Sequence, residues 1–339
     1  MADLTFKDFK SDQEVRWCPG CGDHAVLASL QRALPKVSQA LGYEKERFVV
    51  VSGIGCSSRL PYYMSTYGFH SIHGRATAIS TGIKVANPEL SIWQACGDGD
   101  ALAIGGNHFI HAIRRNVNIN IMLFNNQIYG LTKGQYSPTS KLGAVTKTSP
   151  YGTVENPFNP GSLVLGAKGT FFARSLDVEL ALNEQILTQA ALHEGCSVVE
   201  FLTNCVIFND GAHKGISDPA VRADRTITLR QGEKMIFGKD KNKGLVFNGE
   251  KLSVVTLGEN GITEDDILVH DAHVDNLTLQ MALADMKGPD FPVALGVIRD
   301  VKDITYDEGV RRQVEEVSQK SKVHCVDELL HSGSTWEVK

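Results

Sequence analysis

The chain has 339 residues, of which 42% are hydrophobic and 22% charged, and its formal net charge is -5. This composition permits a large folded core, and the weakly acidic balance gives no indication of a general nucleic-acid binder. The N-terminal segment is too charged for a signal peptide, and apolar runs such as Phe48–Val51 and Ile119–Phe124 are far too short to cross a membrane. We therefore expect a soluble cytoplasmic protein that binds neither nucleic acid nor membrane.

Predicted helices and strands alternate from the start of the chain. Asp23–Val37 carries apolar residues at helical spacing, and Pro35 is expected to weaken its last turn. The Val-rich run Arg47–Ser52 predicts a strand that is buried on both faces. The turn sequence GIGCSSR follows this strand, and Ala76–Val85 predicts a second helix.

The clearest unit comes next and consists of a strand, a turn, a helix and a second strand. These are Leu90–Ala95, Gly97–Asp100 (GDGD), Ala101–Arg115 and Asn118–Phe124. The order predicts two parallel strands joined by a right-handed crossover. Ligands of such sheets bind at the carboxyl ends of the strands. The GDGD turn and the NNQIYG sequence after the second strand are therefore expected at a binding edge.

The rest of the chain continues the α/β pattern and then becomes less regular. Residues 137–168, rich in Pro, Gly, Ser and Thr, predict a long irregular segment. We predict an α/β fold with a doubly wound, mostly parallel sheet, divided into a main domain at 1–240 and a C-terminal extension at 241–339. The remaining predicted strands are Thr170–Ser175, Ser197–Thr203, Leu252–Leu257 and Val293–Ile298, and the remaining helices are Val178–Glu194, Leu277–Met286 and Glu308–Gln319.

Asp98 and Asn126 follow two predicted strands that one helix joins, so their oxygens can face the same point. A carboxylate, an amide oxygen and a nearby backbone carbonyl form an oxygen-only site that suits Mg²⁺. Gly97 and Gly99 allow the backbone to approach a phosphate, and the helix beginning near Ala101 directs N–H groups to the same place. Each turn alone is more often an ordinary tight turn. Together they predict a diphosphate held through Mg²⁺.

Seven cysteines in a chain expected to be cytosolic indicate metal or redox chemistry rather than disulfides. Cys18 and Cys21 form a Cys-x-x-Cys motif that fits zinc, an iron–sulfur cluster or a dithiol site. Cys56 and Cys205 each follow a predicted strand, and four thiolates would complete either a [4Fe–4S] site or an all-cysteine zinc site. The other three cysteines are expected to be structural: Cys96, Cys196 and Cys325.

The successive motifs WCPGCGD, SGIGCSS, HGRA, GDGD and NNQIYGLTKGQ resemble the β subunits of 2-oxoacid:ferredoxin oxidoreductases, over most of residues 15–215. The run GLTKGQYSPTS is most similar to the 2-oxoglutarate branch. The resemblance implies the diphosphate-binding half of the thiamine fold, with thiamine diphosphate, Mg²⁺ and one [4Fe–4S] cluster. The implied metal ligands are Cys18, Cys21, Cys56 and Cys205 (in preference to Cys196) for the cluster, and Asp98, Asn126 and the carbonyl of Ile128 for Mg²⁺.

Further site residues are implied by the same resemblance. His73 is expected to contact the diphosphate or a substrate carboxylate, and Lys133 to lie on the substrate side of the pocket. The alternatives are a solvent-facing loop histidine and an ordinary solvated lysine. The residues expected to line the cofactor are Ile54, Gly55, Cys56, Ser57, His73, Gly74, Arg75, Ala76, Gly97, Gly99, Asp100, Gly130 and Leu131.

The resemblance also implies partners. The cofactor needs a carboxylate beside its aminopyrimidine, and in the family an α subunit supplies that Glu. We therefore expect an incomplete site in this chain, an αβ dimer of heterodimers, and ferredoxin, coenzyme A and a 2-oxoacid as reaction partners. 2-Oxoglutarate is the first choice of substrate and pyruvate the second, with the selecting residues expected largely on the partner chain.

Two other functions stay open at this point. A non-oxidative thiamine-dependent decarboxylase or ligase subunit would need no metal at the four cysteines. A non-catalytic subunit would instead hold structural zinc through them.

Overall fold

The computed structural model describes residues 4–338. Short 3₁₀ helices lie at Phe6–Phe9, Lys45–Arg47, Ser57–Tyr63 and Glu264–Asp266. The strands are β1 (Phe48–Ser52), β2 (Tyr67–His70), β3 (Ser91–Gly97), β4 (Asn120–Asn125), β5 (Ile128–Tyr129), β6 (Gln135–Tyr136), β7 (Phe171–Leu176), β8 (Ser197–Leu202), β9 (Thr226–Thr228), β10 (Ile236–Phe237), β11 (Lys243–Phe247), β12 (Leu252–Thr256) and β13 (Val293–Asp300). The α-helices are α1 (Asp23–Leu41), α2 (Ala76–Ala86), α3 (Asp98–Leu102), α4 (Gly106–Arg114), α5 (Pro160–Gly166), α6 (Leu180–Leu192), α7 (Lys214–Ser217), α8 (Arg222–Arg225), α9 (Leu277–Asp285), α10 (Tyr306–Lys320) and α11 (Val326–His331).

An eight-stranded sheet in the order β2-β1-β3-β4-β8-β7-β13-β9 forms the centre of the fold. All neighbours in it are parallel except β7 and β13. Apolar side chains of α1 and α6 cover one face, and those of α2, α4, α5 and α9 cover the other. Because both faces are covered, β1, β4, β7 and β8 are buried along their whole length. The predicted doubly wound, mostly parallel α/β fold is confirmed.

The helix after β3 differs from its prediction. GDGD is not a turn, since α3 begins at Asp98. The predicted continuous helix Ala101–Arg115 was also wrong, because Ala103 leaves helical geometry and separates α3 from α4. A Cβ at Gly105 would lie 2.4 Å from the carbonyl oxygen of Asp100 and 3.1 Å from the Cα of Gly74. The break therefore lets the chain pass closely against the loop that precedes α2.

Three smaller expectations also need correction. Helix α1 does not weaken at Pro35 but continues to Leu41, where Gly42 ends it in a left-handed conformation. The segment 137–168 is not irregular throughout, because it contains α5, whose first turn is capped by the side chain of Asn159. Cys325 is exposed at the start of α11, whereas Cys96 and Cys196 are buried core thiols as predicted.

The C-terminal third contributes directly to the central sheet. Strand β13 pairs antiparallel with β7 and parallel with β9, while β10, β11 and β12 form a separate antiparallel sheet. The division of the chain at residue 240 stays a prediction. None of the helices in residues 4–338 is long and apolar enough to cross a membrane.

Candidate cofactor-binding site

A cavity of about 530 Å³ lies at the carboxyl ends of β1, β3 and β4, where the predicted binding edge was placed. Three of its wall residues were not predicted: Tyr129, Thr132 and Gln135. Four residues predicted to contact the cofactor or the substrate lie outside its walls: Gly74, Arg75, Ala76 and Lys133. The predicted residues that line it are Ile54, Gly55, Cys56, Ser57, His73, Gly97, Asp98, Gly99, Asp100, Asn126, Ile128, Gly130 and Leu131.

Asp98 is the most enclosed carboxylate of the cavity, with 2% of its surface exposed. Burial raises the pKa of its carboxyl group to about 6, against hydrogen bonds from Ser137 and Thr139 that lower it. Ser137 Oγ donates to Asp98 Oδ2 at 2.5 Å, and Thr139 Oγ1 donates to the same oxygen. No cationic side chain in residues 4–338 forms an ion pair with Asp98. Its charged form is therefore stabilised by the two hydroxyl groups and by the backbone N–H groups of Asp98 and Gly99.

The turn after β4 is fixed by hydrogen bonds from several segments. Asn126 Oδ1 accepts the N–H of Ile128 at 3.1 Å, and the Asn126 carbonyl accepts Asn209 Nδ2 at 2.9 Å. Gln127 has φ +58°, and its carbonyl accepts Ser140 Oγ at 2.6 Å. Asn126 and Ile128 thus have defined positions in the cavity wall beside Asp98.

Asp100 connects two other loops of the cavity. Its Oδ1 accepts the N–H of Ile54 at 3.1 Å and the N–H of Gly74 at 2.8 Å. His73 Nδ1 lies 2.8 Å from the same oxygen, although its N–H is not aligned for a hydrogen bond. Burial raises the pKa of the Asp100 carboxyl group, and those backbone N–H groups oppose the shift. Gly74 was predicted to line the cofactor. It instead contacts Asp100 and forms no part of the cavity wall.

Tyr129 is a wall residue that the sequence analysis missed. Its hydroxyl donates to the carbonyl of Gly99 at 2.8 Å, and its ring lies 5.9 Å from that of His73. Burial raises the pKa of its phenol to about 12, and the charges of Asp98 and Asp100 act in the same direction. The available signal was its place in NNQIYG, directly after Ile128.

Arg75 and Lys133 do not line the cavity, although the sequence analysis placed both of them beside the cofactor or the substrate. The Arg75 guanidinium donates to the carbonyls of Gly74 and Ile104, each at 3.4 Å. Lys133 is exposed, with φ +82°, in the turn whose N–H bonds return to Gly130 and Tyr129. Both roles stay predictions.

The four predicted cluster cysteines lie on three loops that the fold brings together. Trp17 Nε1 donates to the Cys56 carbonyl at 2.6 Å, and Gly22 N–H donates to the Asn204 carbonyl at 3.1 Å. A Cβ placed on Gly130 would lie 3.5 Å from Cys205 Sγ and 3.6 Å from Cys56 Sγ. Gly130 and Cys56 also line the cofactor cavity, so the cysteine group and the cavity share a wall.

The four predicted cluster cysteines differ in their exposure to solvent. Cys18 is exposed, while Cys21, Cys56 and Cys205 are half-buried. Burial raises the pKa of Cys56 to about 11, and burial followed by the charge of Asp23 raises that of Cys21 further. Within residues 4–338, no three His, Cys, Asp or Glu side chains converge closely enough to hold one metal ion.

Comparison with known proteins gives a consistent result. The family model "Thiamine pyrophosphate enzyme, C-terminal TPP binding domain" matches residues 53–201. The 2-oxoglutarate oxidoreductase subunit KorB of Mycobacterium tuberculosis is 48% identical over 335 residues, covering 98% of this chain and 88% of that protein. The 2-oxoglutarate synthase subunit KorB of Archaeoglobus fulgidus is 48% identical over 189 residues, 56% of this chain and 69% of that protein.

A solved structure resembles the whole chain. It is 2-oxoglutarate:ferredoxin oxidoreductase from Magnetococcus marinus with 2-oxoglutarate, coenzyme A and succinyl-CoA bound. The TM-score is 0.77 at 30% identity, and the match covers 99% of this chain and 98% of that chain.

The fold and the cavity define a thiamine-diphosphate-binding domain of an enzyme. The chain belongs to the family of 2-oxoacid oxidoreductase β subunits. The family predicted from the sequence is thereby confirmed, and a β subunit acts together with a partner subunit.

Proposed function

We propose that this chain is the β subunit of a CoA-dependent 2-oxoglutarate:ferredoxin oxidoreductase that carries thiamine diphosphate, Mg²⁺ and one [4Fe–4S] cluster. In each turnover, 2-oxoglutarate and coenzyme A give succinyl-CoA, CO₂ and a proton, while two electrons pass singly to two ferredoxins. The observation that carries the proposal is the wall shared by the cavity and the cysteine group at Cys56 and Gly130. The names of the M. tuberculosis and A. fulgidus relatives favour 2-oxoglutarate over pyruvate.

Asp98, Asn126 and the Ile128 carbonyl would hold the magnesium ion. These are oxygen donors, as Mg²⁺ requires, and the buried Asp98 carboxylate has hydroxyl partners but no cation. A divalent cation would neutralise that charge. Gly55 has φ +150° and no atom within 4 Å of a Cβ position, so its backbone leaves open space for the diphosphate and thiazolium.

Cys18, Cys21, Cys56 and Cys205 would hold the cluster. Each of the four thiolates of a cubane binds a different iron atom. A Cβ on Gly130 would lie 3.5 Å from Cys205 Sγ and 3.6 Å from Cys56 Sγ, and the charges of Cys56 and Cys205 act on Cys21, which supports one shared site for the cysteines. Iron would also bind thiolates, whose formation burial opposes without a metal.

Bound thiamine diphosphate supplies the electron sink that lets a 2-oxoacid lose CO₂. The residues of this chain would orient the reactants around it. His73, half-buried beside Asp100, presents a donor to the diphosphate or to a substrate carboxylate. Tyr129 and Asp100 fix the loops that carry Gly99, Ile54 and Gly74. The partner subunit would supply the Glu beside the aminopyrimidine. Lys133 lies in an exposed turn of this chain and would approach the substrate from there.

The test uses the complete complex, purified without oxygen. We expect reduction of ferredoxin or a viologen dye that requires both 2-oxoglutarate and coenzyme A, and iron that is lost in Cys205→Ser but retained in the matched control Cys325→Ser. CO₂ release without dye reduction would instead identify a non-oxidative decarboxylase. Zinc without iron or thiamine diphosphate would identify a non-catalytic subunit. Faster turnover with pyruvate would correct the substrate alone.

A further inference from the structure

The turn at residues 126–128, which carries two of the proposed Mg²⁺ ligands, depends on contacts from another part of the chain. Gln127 in its middle has φ +58°, a left-handed conformation that residues with a side chain rarely adopt. Such a conformation persists where the surrounding structure holds it. The segment 203–213 supplies much of this support. The backbone N–H of Thr203 and Nε2 of His213 donate to the Asn125 carbonyl at 3.1 and 2.9 Å.

Asn209, in the same segment, contacts both the turn and a predicted cluster cysteine. Its Nδ2 donates to the Asn126 carbonyl at 2.9 Å and lies 3.5 Å from the Gln127 carbonyl. Within residues 4–338, no other group donates to the Asn126 carbonyl. The backbone N–H of Asn209 donates to the Cys205 carbonyl at 3.1 Å, and these two residues form an isolated antiparallel bridge. One residue therefore joins a proposed Mg²⁺ ligand to a proposed cluster ligand.

The backbone around Asn209 is itself held in place. The side chain of Asn204 closes the loop, since its Oδ1 accepts the N–H of Gly211 at 2.9 Å. The Phe208 ring occupies the space beside Gly134, where a Cβ would lie 2.8 Å from a ring carbon. These contacts lie on either side of Asn209 in the chain. Its amide group therefore has a defined direction toward the turn.

We propose that Asn209 is a positioning residue that holds Asn126 and Ile128 in the geometry in which they bind the Mg²⁺ of thiamine diphosphate. This inference rests on the proposed function. Asn209 does not line the cofactor cavity, so it acts through the Asn126 carbonyl. Because Asn126 Oδ1 accepts the N–H of Ile128 at 3.1 Å, a rotation of the peptide that Asn209 holds would displace both ligands. Hydrogen-bond partners behind metal ligands typically change metal affinity by about 10- to 100-fold.

The test is titration calorimetry of the complete complex, freed of thiamine diphosphate, at saturating Mg²⁺. In Asn209→Ala we expect the Kd for thiamine diphosphate to rise about tenfold or more, while the iron content stays that of the unmodified complex. Asn209→Asp keeps the shape but turns an oxygen toward the two carbonyls, so its loss should be at least as large. Asn209→Gln keeps a donor and should restore part of the affinity.

The matched control is Asn248→Ala, which also removes an amide side chain. Asn248 is exposed in the hairpin between β11 and β12, and its Oδ1 accepts only the nearby N–H groups of Glu250 and Lys251. We expect its Kd for thiamine diphosphate and its iron content to equal those of the unmodified complex.

Other results would overturn the inference. Normal thiamine diphosphate affinity in Asn209→Asp would show that the donated hydrogen bond does not matter. Loss of iron together with affinity would show that Asn209 maintains the cysteine loop and not the turn. If Asn209→Ala does not assemble, Asn209→Asp, which has nearly the same volume, decides on the same two measurements. Failure of the proposed function is distinct, because the unmodified complex would then bind no thiamine diphosphate or contain no iron.

Discussion

The phenol of Tyr129 donates a hydrogen bond to the carbonyl oxygen of Gly99, and its ring occupies the space beside the Gly99 Cα. A Cβ on Gly99 would lie 2.4 Å from two ring carbons of Tyr129. We therefore expect Gly99→Ala to displace the Tyr129 ring from the cavity wall, to weaken thiamine diphosphate binding, and to cost about 1–3 kcal/mol of stability through overpacking.

The control for this prediction is Gly106→Ala. Gly106 is the first residue of α4, and a Cβ there would meet no atom within 4 Å. Calorimetric titration with thiamine diphosphate and a thermal unfolding midpoint measure the two effects. Equal cofactor affinity in Gly99→Ala and Gly106→Ala would show that the ring moves aside without consequence.

Asp98→Asn is expected to raise the stability of the cofactor-free protein and to weaken cofactor binding. Burial raises the pKa of Asp98 from 3.8 to about 6, so in the cofactor-free protein the carboxyl group is charged above about pH 6 and its burial then lowers the stability of the fold. Replacing it with a neutral amide should stabilise the cofactor-free protein at pH 7.5 by about 1–3 kcal/mol. The same change removes the charge that attracts Mg²⁺, so retention of thiamine diphosphate should fail.

The stability of the cofactor-free protein should also depend on pH through the protonation of Asp98. Because the folded pKa of Asp98 exceeds its unfolded value, the unmodified cofactor-free protein should gain stability as pH falls through about 6, a gain nearly complete by about pH 4. Asp98→Asn should lack this contribution. Thermal unfolding midpoints of both proteins, measured across that pH range, test this difference. The second condition is the same series with saturating Mg²⁺ and thiamine diphosphate. Parallel pH profiles for the two proteins would contradict it.

The sequence predicted the central strands well because a sheet covered on both faces leaves continuous apolar runs. β1, β4 and β8 begin and end within two residues of their predicted limits. The same reasoning placed Asp98 and Asn126 at one edge, since the order of strands and helices determines where their carboxyl ends meet.

Contacts between distant segments could not be predicted in this way. Ser137 and Thr139 were part of a segment expected to be irregular, yet both donate to Asp98. The break at Ala103 depends on the close approach of Gly105 to Gly74, which no helical periodicity records.

The buried ion pair of Arg174 and Glu200 is expected to stabilise the region behind the edge at which we propose that Mg²⁺ binds. Arg174 Nε donates to Glu200 Oε2 at 2.6 Å, and Asn125 Nδ2 donates to Glu200 Oε1 at 2.8 Å. Arg174→Met would leave the Glu200 carboxylate buried without a cation, at a cost of about 3–5 kcal/mol. The double variant Arg174→Met with Glu200→Gln should recover part of this loss. Thermal midpoints of the assembled complex measure both, and additive losses would show that the pair is not coupled.

The hydroxyl groups that hold Asp98 should set the pH at which the cofactor is retained. Hydrogen bonds from Ser137 and Thr139 lower the pKa of Asp98 against the effect of its burial. Without one of them the carboxyl group should protonate at a higher pH, because its charged form loses a donor. In Ser137→Ala and Thr139→Ala, we therefore expect Mg²⁺-dependent binding of thiamine diphosphate to weaken at pH 6.5 by about three- to thirtyfold, and much less at pH 8.

The matched control is Thr148→Ala, in which an exposed threonine of the same loop loses its hydroxyl without any contact to Asp98. Titration calorimetry at the two pH values separates a shifted protonation equilibrium from a general loss of the site. A loss of affinity that is equal at pH 6.5 and pH 8 would mean that the two hydroxyls position the loop and do not stabilise the charge. A loss confined to the lower pH would show that the charge of Asp98, and hence its ability to bind the metal, depends on donors that lie about forty residues further along the chain.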